Sequence, residues 1–293
     1  MSGDNERLNE GFVEVIRGEK IPHKVRLKKA KYMIALGADV NAKLFGKSAL
    51  SWAKAIGDEE LAKFLEEKGA KEFEISKEEA LSLGKELVDT FNYKNGKEKI
   101  VDLIKKGADV NERNSIDRTV LMLACSEKNV EEGVVKMIIQ RGAHLDAVDC
   151  YGESALMKAA LKRNRNMVKL LLDEGADVNI KDCWGRTVLM CAVSDECIDL
   201  FNMMIEKGAD INTKDEDNET LLMKAVRGKQ VKMVEMLIEK GVDVEVKCKD
   251  GMSALDIALE RGDMQIAGMI KKVKEENAQK KKIKFWGNAK SKV

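Results

Sequence analysis

Apolar residues recur along this chain in short runs at helical spacing, with polar breaks between them. The run 167–172 (MVKLLL) repeats apolar positions at i, i+3 and i+4, which predicts a helix with one buried face. A shorter apolar patch, 154–160 (SALMKAA), precedes this run. Gly175 follows it, and glycine suits the left-handed conformation that ends many helices. The pattern predicts a unit of helix, tight turn, helix, glycine stop and extended loop.

The same unit recurs over most of the sequence. Gly-Ala-Asp-Val-Asn stands at 37–41, 107–111 and 175–179, and Gly-Ala-Asp-Ile-Asn stands at 208–212. With looser copies included, successive glycines lie 32, 38, 35, 33, 33 and 33 residues apart, a period typical of repeat proteins. We predict units that end near residues 37, 69, 107, 142, 175, 208, 241 and 272.

Two segments of these units resemble the ankyrin repeat family, whose units contain the motif T-P-L-H-x-A. The segments are 187–192 (TVLMCA) and 220–225 (TLLMKA), and each is followed by the glycine turn. The resemblance covers about residues 9–270. It implies an all-α, ankyrin-repeat solenoid of about eight helix-turn-helix units with β-hairpin-like loop fingers and a long concave surface for binding.

The units depart from the family motif in one consistent way. Ala, Val or Leu replaces the proline, and Met replaces the histidine in four units, so the hydroxyl–imidazole bond that the resemblance implies is lost. Methionine packing is expected in its place. The hydroxyl that opens each patch is kept, and it predicts a helix cap. It occurs at Ser48, Thr119, Ser154, Thr187, Thr220 and Ser253.

Three parts of the chain differ from the regular units. Units 7–37 and 73–107 lack the opening patch, which is expected of the first because a terminal repeat faces water on one side. The internal irregular unit, 72–107, marks either a bend in the array or a degenerate repeat that stacks normally. A final capping unit completes the array. We therefore divide the chain into an ankyrin repeat array, 1–274, and a basic C-terminal tail, 275–293.

Charge is distributed unequally along the chain. The net charge is +1, but residues 271–293 carry nine lysines and two glutamates, which leaves the remainder at a net −6. Phe285 and Trp286 stand among these lysines. Such a segment suits an anionic membrane surface, nucleic acid or an acidic partner. The alternatives are a solubilising terminus and aromatic residues folded back on the last unit. We expect membrane or nucleic-acid contact only through this tail.

The residues that usually carry chemistry do not cluster in the sequence. The six cysteines form no C-x-x-C pair, and His23 and His144 lie far apart, so no metal site is expected. Nucleophile-elbow, phosphate-loop and dinucleotide motifs are missing. We predict no catalytic, cofactor-binding or metal-binding residue and no small-molecule substrate. A perturbed thiol at Cys191 or Cys197 is the remaining route to an enzyme.

Cellular context follows from what the sequence lacks. No apolar run is long enough to cross a membrane, and the first 25 residues lack the apolar stretch of a secretory signal. Unpaired cysteines fit a reducing compartment. We expect a cytoplasmic protein, and we expect it to be a monomer.

The loop tips carry the candidate partner-binding residues. Trp and Tyr are enriched where interfaces gain most of their binding energy. The alternative is that these aromatic residues only cover the neighbouring loop. In four units, the positions three residues and one residue before the patch hydroxyl are Phe45 and Lys47, Ile116 and Arg118, Tyr151 and Glu153, and Trp184 and Arg186.

Two functions remain open at this point. The first is a non-enzymatic module that binds another protein on its concave face, as a scaffold, an inhibitor or an effector-type protein. The second is a tethering protein whose basic, aromatic tail contacts an anionic membrane surface or nucleic acid. Binding through the tail should weaken steeply as salt rises, whereas binding through aromatic residues should change little.

Overall fold

The helices of this chain fall into two units. A computed structural model describes the backbone of residues 2–18, 21–92, 97–127, 130–193 and 195–290. The first unit consists of Met1–Ala124 with Gly133–His144, and the second consists of Cys125–Glu132 with Leu145–Val293. The irregular segment 72–107 belongs to the first unit. This helical content agrees with the all-α class that the sequence predicts.

The helices follow one another in pairs joined by short turns. Up to residue 144 they are α1 Ser2–Arg17, α2 His23–Ala35, α3 Ala49–Ala55, α4 Glu59–Glu67, α5 Lys77–Asn92, α6 Lys97–Lys106, α7 Val120–Ser126 and α8 Glu132–Gln140. After residue 144 they are α9 Ala155–Leu161, α10 Arg165–Asp173, α11 Val188–Cys191, α12 Ile198–Glu206, α13 Leu221–Arg227, α14 Val231–Glu239, α15 Ala254–Glu260 and α16 Met264–Lys290. A short 3₁₀ turn, Asp195–Cys197, precedes α12.

Helix packing in each unit forms two layers. In the second unit, α9, α11, α13 and α15 contact one another in succession, and α10 contacts α12 as α14 contacts α16. In the first unit, α1 packs against α2 and α3, α3 packs against α4, and α5 packs against α6. The predicted methionines lie in these layers. Met122, Met157, Met190 and Met223 are all buried.

Side-chain caps explain where most of the first helices begin. Ser154 Oγ accepts the Met157 N–H at 3.3 Å, and Thr220 Oγ1 accepts the Met223 N–H at 3.3 Å. Equivalent bonds start α3, α7 and α15. The prediction of a cap is wrong at Thr187. There the Met190 N–H donates to the Thr187 backbone carbonyl at 3.0 Å instead, and α11 ends after four residues.

The loops before the first helices form narrow fingers. We use this name for the segments 42–48, 113–119, 148–154, 181–187, 214–220 and 247–253. In the first finger, β1 (Lys43–Leu44) pairs with β2 (Lys47–Ser48) in antiparallel fashion. Four other fingers close with a single antiparallel bridge. These bridges join Arg113 to Thr119, Val148 to Ser154, Lys214 to Thr220, and Lys247 to Ser253.

Candidate protein-binding surface

An acidic side chain fixes the backbone of the two fingers of the second unit that carry predicted site residues. Asp149 Oδ1 accepts the N–H groups of Tyr151 and Glu153, both at 3.0 Å. Asp182 Oδ1 accepts those of Trp184 at 2.9 Å and Arg186 at 2.8 Å. A turn of this kind, closed by its own Asp side chain, leaves the tip backbone little freedom. The four predicted site residues of this unit therefore stand on rigid loops.

Neighbouring fingers are joined by backbone hydrogen bonds. The Cys183 N–H donates to the Tyr151 carbonyl and the Glu216 N–H donates to the Trp184 carbonyl, both at 2.9 Å. The fingers also approach closely, since a Cβ atom added to Gly152 would lie 2.8 Å from the Cys183 nitrogen. Gly152 has a φ of +74°, so glycine is favoured there for its conformation as well.

Tyr151 and Trp184 form an exposed pair of parallel rings. Their centroids are 6.2 Å apart and their planes differ by 9°. The two residues are 43% and 48% exposed. The Arg186 guanidinium lies 4.6 Å from the Trp184 ring centroid and is held by Asp182, whose Oδ2 is 2.7 Å from Arg186 Nε. The pair is thus a stacked aromatic cluster that Arg186 contacts and that remains partly open to solvent.

Charged side chains bonded to the fingers of this unit neutralise one another. Lys158 is almost fully buried, and its Nζ pairs with Asp149 Oδ2 at 2.7 Å and with Glu153. Two repeats later, Lys224 pairs with Asp215 Oδ2 at 2.6 Å. These pairs leave little net charge beside the rings.

Cys191 occupies the position that Lys158 and Lys224 hold in the flanking repeats, and its chemistry is not that of a nucleophile. Burial raises the pKa of the Cys191 thiol to about 11, and the nearby Arg186 offsets this only in part. Cys197 is buried. A catalytic thiol needs a lowered pKa. The pKa of Cys191 is therefore shifted in the direction opposite to that of a catalytic thiol.

The first unit presents its predicted site residues differently. Ile116 and Arg118 are half-buried, and Asn114 Oδ1 accepts their N–H groups at 3.1 and 3.0 Å, as Asp149 does in the second unit. Lys47 is half-buried and pairs with Glu74 at 2.9 Å. None of these positions carries an exposed ring.

The expectation that Phe45 is exposed at a loop tip is wrong. Phe45 is 2% exposed, and the guanidinium groups of Arg17 and Arg141 lie 4.6 and 5.4 Å from the centroid of its ring. Its N–H donates to the Lys105 carbonyl at 2.8 Å. Phe45 therefore contributes to packing within the first unit, and it is not available to a partner.

A shift of strand register explains this difference. The partner of Ser48 is Lys43, five residues earlier, whereas the partner of Thr119 is Arg113, six residues earlier. The first finger uses a two-residue turn. Lys43 stands in this finger where four of the other fingers carry an Asn or Asp, while the finger 247–253 carries Cys248 and keeps the longer register. Phe45 and Gly46 both have positive φ in the two-residue turn, as a tight hairpin requires. A one-residue shift turns each side chain to the opposite face.

The family follows from the repeat pattern. The model of the family described as Ankyrin repeats (3 copies) matches residues 91–182 and 189–281, which is more than half of the chain. The chain belongs to the ankyrin repeat family. Ankyrin repeats are generally protein–protein interaction modules and typically non-enzymatic. No curated protein matches the sequence.

In the second unit of this ankyrin protein, Tyr151, Glu153, Trp184 and Arg186 lie on two adjacent fingers. Sequence reasoning found these tips, and it indicates Asp149 and Asp182 only as acids that neutralise nearby basic residues, not as the side chains that hold the tips together with Lys158. A signal for the two acids was present, because each stands three residues before the glycine of its finger. The salt partner Lys158 had no such signal, since it lies on the following helix.

The C-terminal tail continues a helix of the ankyrin protein. The backbone of α16 is helical through Lys290, while the side chains of Lys280, Phe285 and Trp286 lie outside the described residues. No described helix is both long and apolar enough to cross a membrane. Within the described ranges, no group of three His, Cys, Asp or Glu residues is placed to hold a metal ion.

Proposed function

We propose that the protein is a non-catalytic recognition module whose second unit binds a partner protein through the tips at Tyr151 and Trp184. The exposed parallel ring pair is the observation that carries this proposal. The two large aromatic residues stack on each other, yet each remains more than two-fifths exposed. A partner that covers them removes apolar surface from water at about 25 cal/mol per Å².

The rigidity of the tips supports this function. Association costs free energy when it immobilises side chains or loops, at about 0.5–1.5 kcal/mol per flexible side chain. Asp149 and Asp182 hold the backbone below each ring, and Arg186 covers part of the Trp184 ring. The surface is therefore organised before the partner arrives, which reduces that cost.

The charge pattern supports an aromatic contact over a purely ionic one. Arg186, which lies over the Trp184 ring, is already paired with Asp182, and Lys158 is paired with Asp149 and Glu153 of the Tyr151 finger. Partner binding at this surface should therefore depend only weakly on salt. Binding through the lysine-rich tail would instead weaken steeply between about 50 and 200 mM salt, which separates the tethering function from the recognition function.

We further infer that the array consists of eight helix pairs, from α1 with α2 to α15 with α16, and that its fingers are hairpin-like. The partner-binding surface then lies on the side of the second unit that carries the fingers. Scaffold, inhibitor and effector-type roles all use a surface of this kind.

Capture of partners from a lysate of the source organism tests the proposal. The wild type is compared with the double variant Tyr151→Ser/Trp184→Ser and with Tyr32→Ser as a matched control. Tyr32 is 65% exposed on α2 of the first unit, so its loss removes a comparable ring elsewhere. Captured proteins are identified by mass spectrometry at about 50 and about 200 mM salt.

We expect at least one protein that the wild type and Tyr32→Ser hold at both salt concentrations and the double variant loses. Truncation of central aromatic residues commonly costs 2 kcal/mol or more, about a thirtyfold loss of affinity. If the double variant keeps every partner, the rings only cover their neighbours. If every partner dissociates at the higher salt concentration, the tail carries the binding.

A further inference from the structure

Arg141 differs from the residues that stand before the glycine stop in the other units. In those units the residue at this position is exposed to solvent, whereas Arg141 is half-buried. The exposed residues are Leu36, Lys68, Lys106, Glu174, Lys207 and Lys240. A cation that most of its counterparts would leave in water is therefore partly enclosed by the first unit.

The guanidinium of Arg141 has no acidic partner among the described residues. Its Nε atom is buried without a hydrogen-bond partner, and its side chain forms no ion pair there. Burial lowers the pKa of Arg141, and the charge of Arg17 adds to this effect. The Phe45 ring, 5.4 Å away, accepts none of the N–H donors in the way that an anion does. An enclosed cation of this kind is costly unless an anion meets it.

Arg141 lines a cavity of the first unit. The other walls are the start of α5 and the loop after α6, and the volume is about 500 Å³. Leu81 and Val110 contribute apolar surface to it, and Leu81 is 40% exposed. Small-ligand sites usually have volumes of about 300–1,000 Å³ and combine apolar walls with a few polar groups. The cavity fits this description.

Hydrogen bonds fix the walls of this cavity relative to one another. The Asp109 N–H donates to the Ala80 carbonyl at 2.9 Å, which joins the loop after α6 to α5. Asn111 Nδ2 donates to the Gly142 carbonyl at 3.0 Å, which joins the same loop to the residue after Arg141. The cavity is thus organised without a ligand, and this lowers the cost of binding one.

The charges that line the cavity indicate a ligand with a single negative charge. Arg141 and Lys77 are its cations and Asp109 is its acid, so the lining carries a net +1. A monoanion balances this charge, while a doubly charged phosphate would leave excess negative charge beside Asp109. The planar guanidinium also matches a carboxylate, which accepts two parallel N–H bonds from it.

We propose that this cavity binds a carboxylate attached to a short apolar body. The carboxylate lies at Arg141, and the apolar body lies against Leu81 and Val110. Two sources share this chemistry, a free short-chain acid and the C-terminal residue of a peptide. The site does not use Tyr151 or Trp184, so it does not depend on the proposed partner binding.

Isothermal titration calorimetry on the full chain tests this proposal at constant ionic strength. The probes are hexanoate, acetyl-glycyl-leucine with a free carboxylate, and the C-terminal amide of the same dipeptide. We expect at least one of the two carboxylates to bind with a Kd of about 1 mM or less, and the amide to bind at least tenfold more weakly than the free dipeptide if that dipeptide binds. The tighter of the two carboxylates identifies the source.

Three variants locate the site. Arg141→Met should weaken carboxylate binding by at least tenfold, because the fork of donors is lost. Lys240→Met is the matched control, since Lys240 holds the equivalent position in the second unit and is exposed. It should bind within about twofold of the wild type. Leu81→Ser should weaken hexanoate binding by about fivefold, because apolar contact is lost.

Several results would overturn the carboxylate site. These are no binding of either carboxylate at about 20 mM, binding of the amide as tight as that of the free dipeptide, unchanged binding by Arg141→Met, and tighter binding of inorganic phosphate. Leu81 is partly exposed, so Leu81→Ser should fold even if Arg141→Met does not. Circular dichroism checks the helicity of both variants.

Discussion

Single acidic residues organise three of the four fingers of the second unit through both of their oxygens. In Asp149, Asp182 and Asp215, Oδ1 accepts backbone N–H groups of the finger, and Oδ2 meets a cation. The cation comes from the next helix in two cases and from Arg186 of the finger itself in the third. Turn geometry and charge balance are thus linked at one side chain.

The variant Lys158→Met tests this link. Asp149 has no exposed side-chain surface, so removal of its cation leaves a buried charge without its main partner. We expect the free energy of unfolding of the second unit to fall by about 3–5 kcal/mol. Lys162→Met, one turn later at an exposed position, should change it by less than about 0.5 kcal/mol. Urea unfolding followed by circular dichroism measures both. Similar stability of the two variants would show that the pair contributes nothing.

His23 makes the stability of the first unit depend on pH. It bonds to Asp58 and Glu60, each at 2.7 Å, and these bonds raise the pKa of His23 above 6.5. Burial opposes ionisation of Asp58, but hydrogen bonds from His23, Arg26 and the Leu61 N–H outweigh it and lower the pKa of Asp58.

The stabilisation from His23 is complete below its unfolded pKa and is lost as pH rises through its folded pKa. We therefore expect the first unit to be less stable at about pH 8.5 than at about pH 6, and His23→Gln to remove most of this difference. The stabilisation that Asp58 contributes is present above the ordinary pKa of its carboxyl group and is lost as the pH falls through the lowered pKa. Urea unfolding of both proteins at the two pH values measures the effect. An unchanged pH dependence in His23→Gln would assign it to other groups.

At the residue scale, sequence reasoning succeeded where one side chain acts on its own backbone. The hydroxyls of Ser154 and Thr220 cap helices as predicted, because a cap needs only a residue and the turn after it. Exposure was harder to predict. Tyr151 and Phe45 hold equivalent positions, yet one is exposed and the other buried, because packing from distant parts of the chain decides it.

At the element scale, α11 is the irregular helix of the second unit. It has four residues, and the Thr187 hydroxyl is buried without a hydrogen-bond partner among the described residues. An unsatisfied buried hydroxyl costs free energy that an apolar side chain of the same shape avoids.

The variants Thr187→Val and Thr220→Val should therefore change the stability of the second unit in different ways. We expect Thr187→Val to leave the stability of the second unit unchanged or raise it, since no side-chain bond is lost. Thr220→Val removes the cap of α13 and should cost about 1 kcal/mol. Thermal unfolding compares them. A larger loss for Thr187→Val would mean that its hydroxyl does bond in solution.

Elements were predicted well where the period is regular. The glycine stops at Gly175, Gly208 and Gly241 all have positive φ, as the helix-ending role requires. The first finger was not predictable to the same degree. A repeat alignment shows Lys43 in place of an acid, but it does not show the hydrogen bond from the Phe45 N–H to the end of α6 that accompanies the changed register.

At the scale of the whole molecule, the two units use the same tip position for different purposes. In the first unit, Phe45 is buried under Arg17 and Arg141, while in the second unit Tyr151 and Trp184 face solvent. Stability and recognition should therefore respond separately to mutation.

The variant Phe45→Ala tests this separation. Loss of a buried phenylalanine should lower the free energy of unfolding of the first unit by about 3–5 kcal/mol. Affinity for any partner captured through Tyr151 and Trp184 should stay within about twofold at a temperature where the variant is folded. Calorimetric unfolding and titration of that partner measure the two effects. A variant of normal stability and reduced affinity would place Phe45 in the interface.

The backbone bonds between fingers have a consequence for how this protein can diverge. Tyr151 and Trp184 contribute to the finger ladder only through carbonyl oxygens, which every amino acid possesses. The ladder continues through Asp217, whose carbonyl accepts the Lys249 N–H although its side chain is neither aromatic nor apolar. Tip side chains are thus free to vary while the architecture is inherited unchanged. Duplicated copies of this gene could acquire new partners through a few substitutions at these positions, with little loss of foldability.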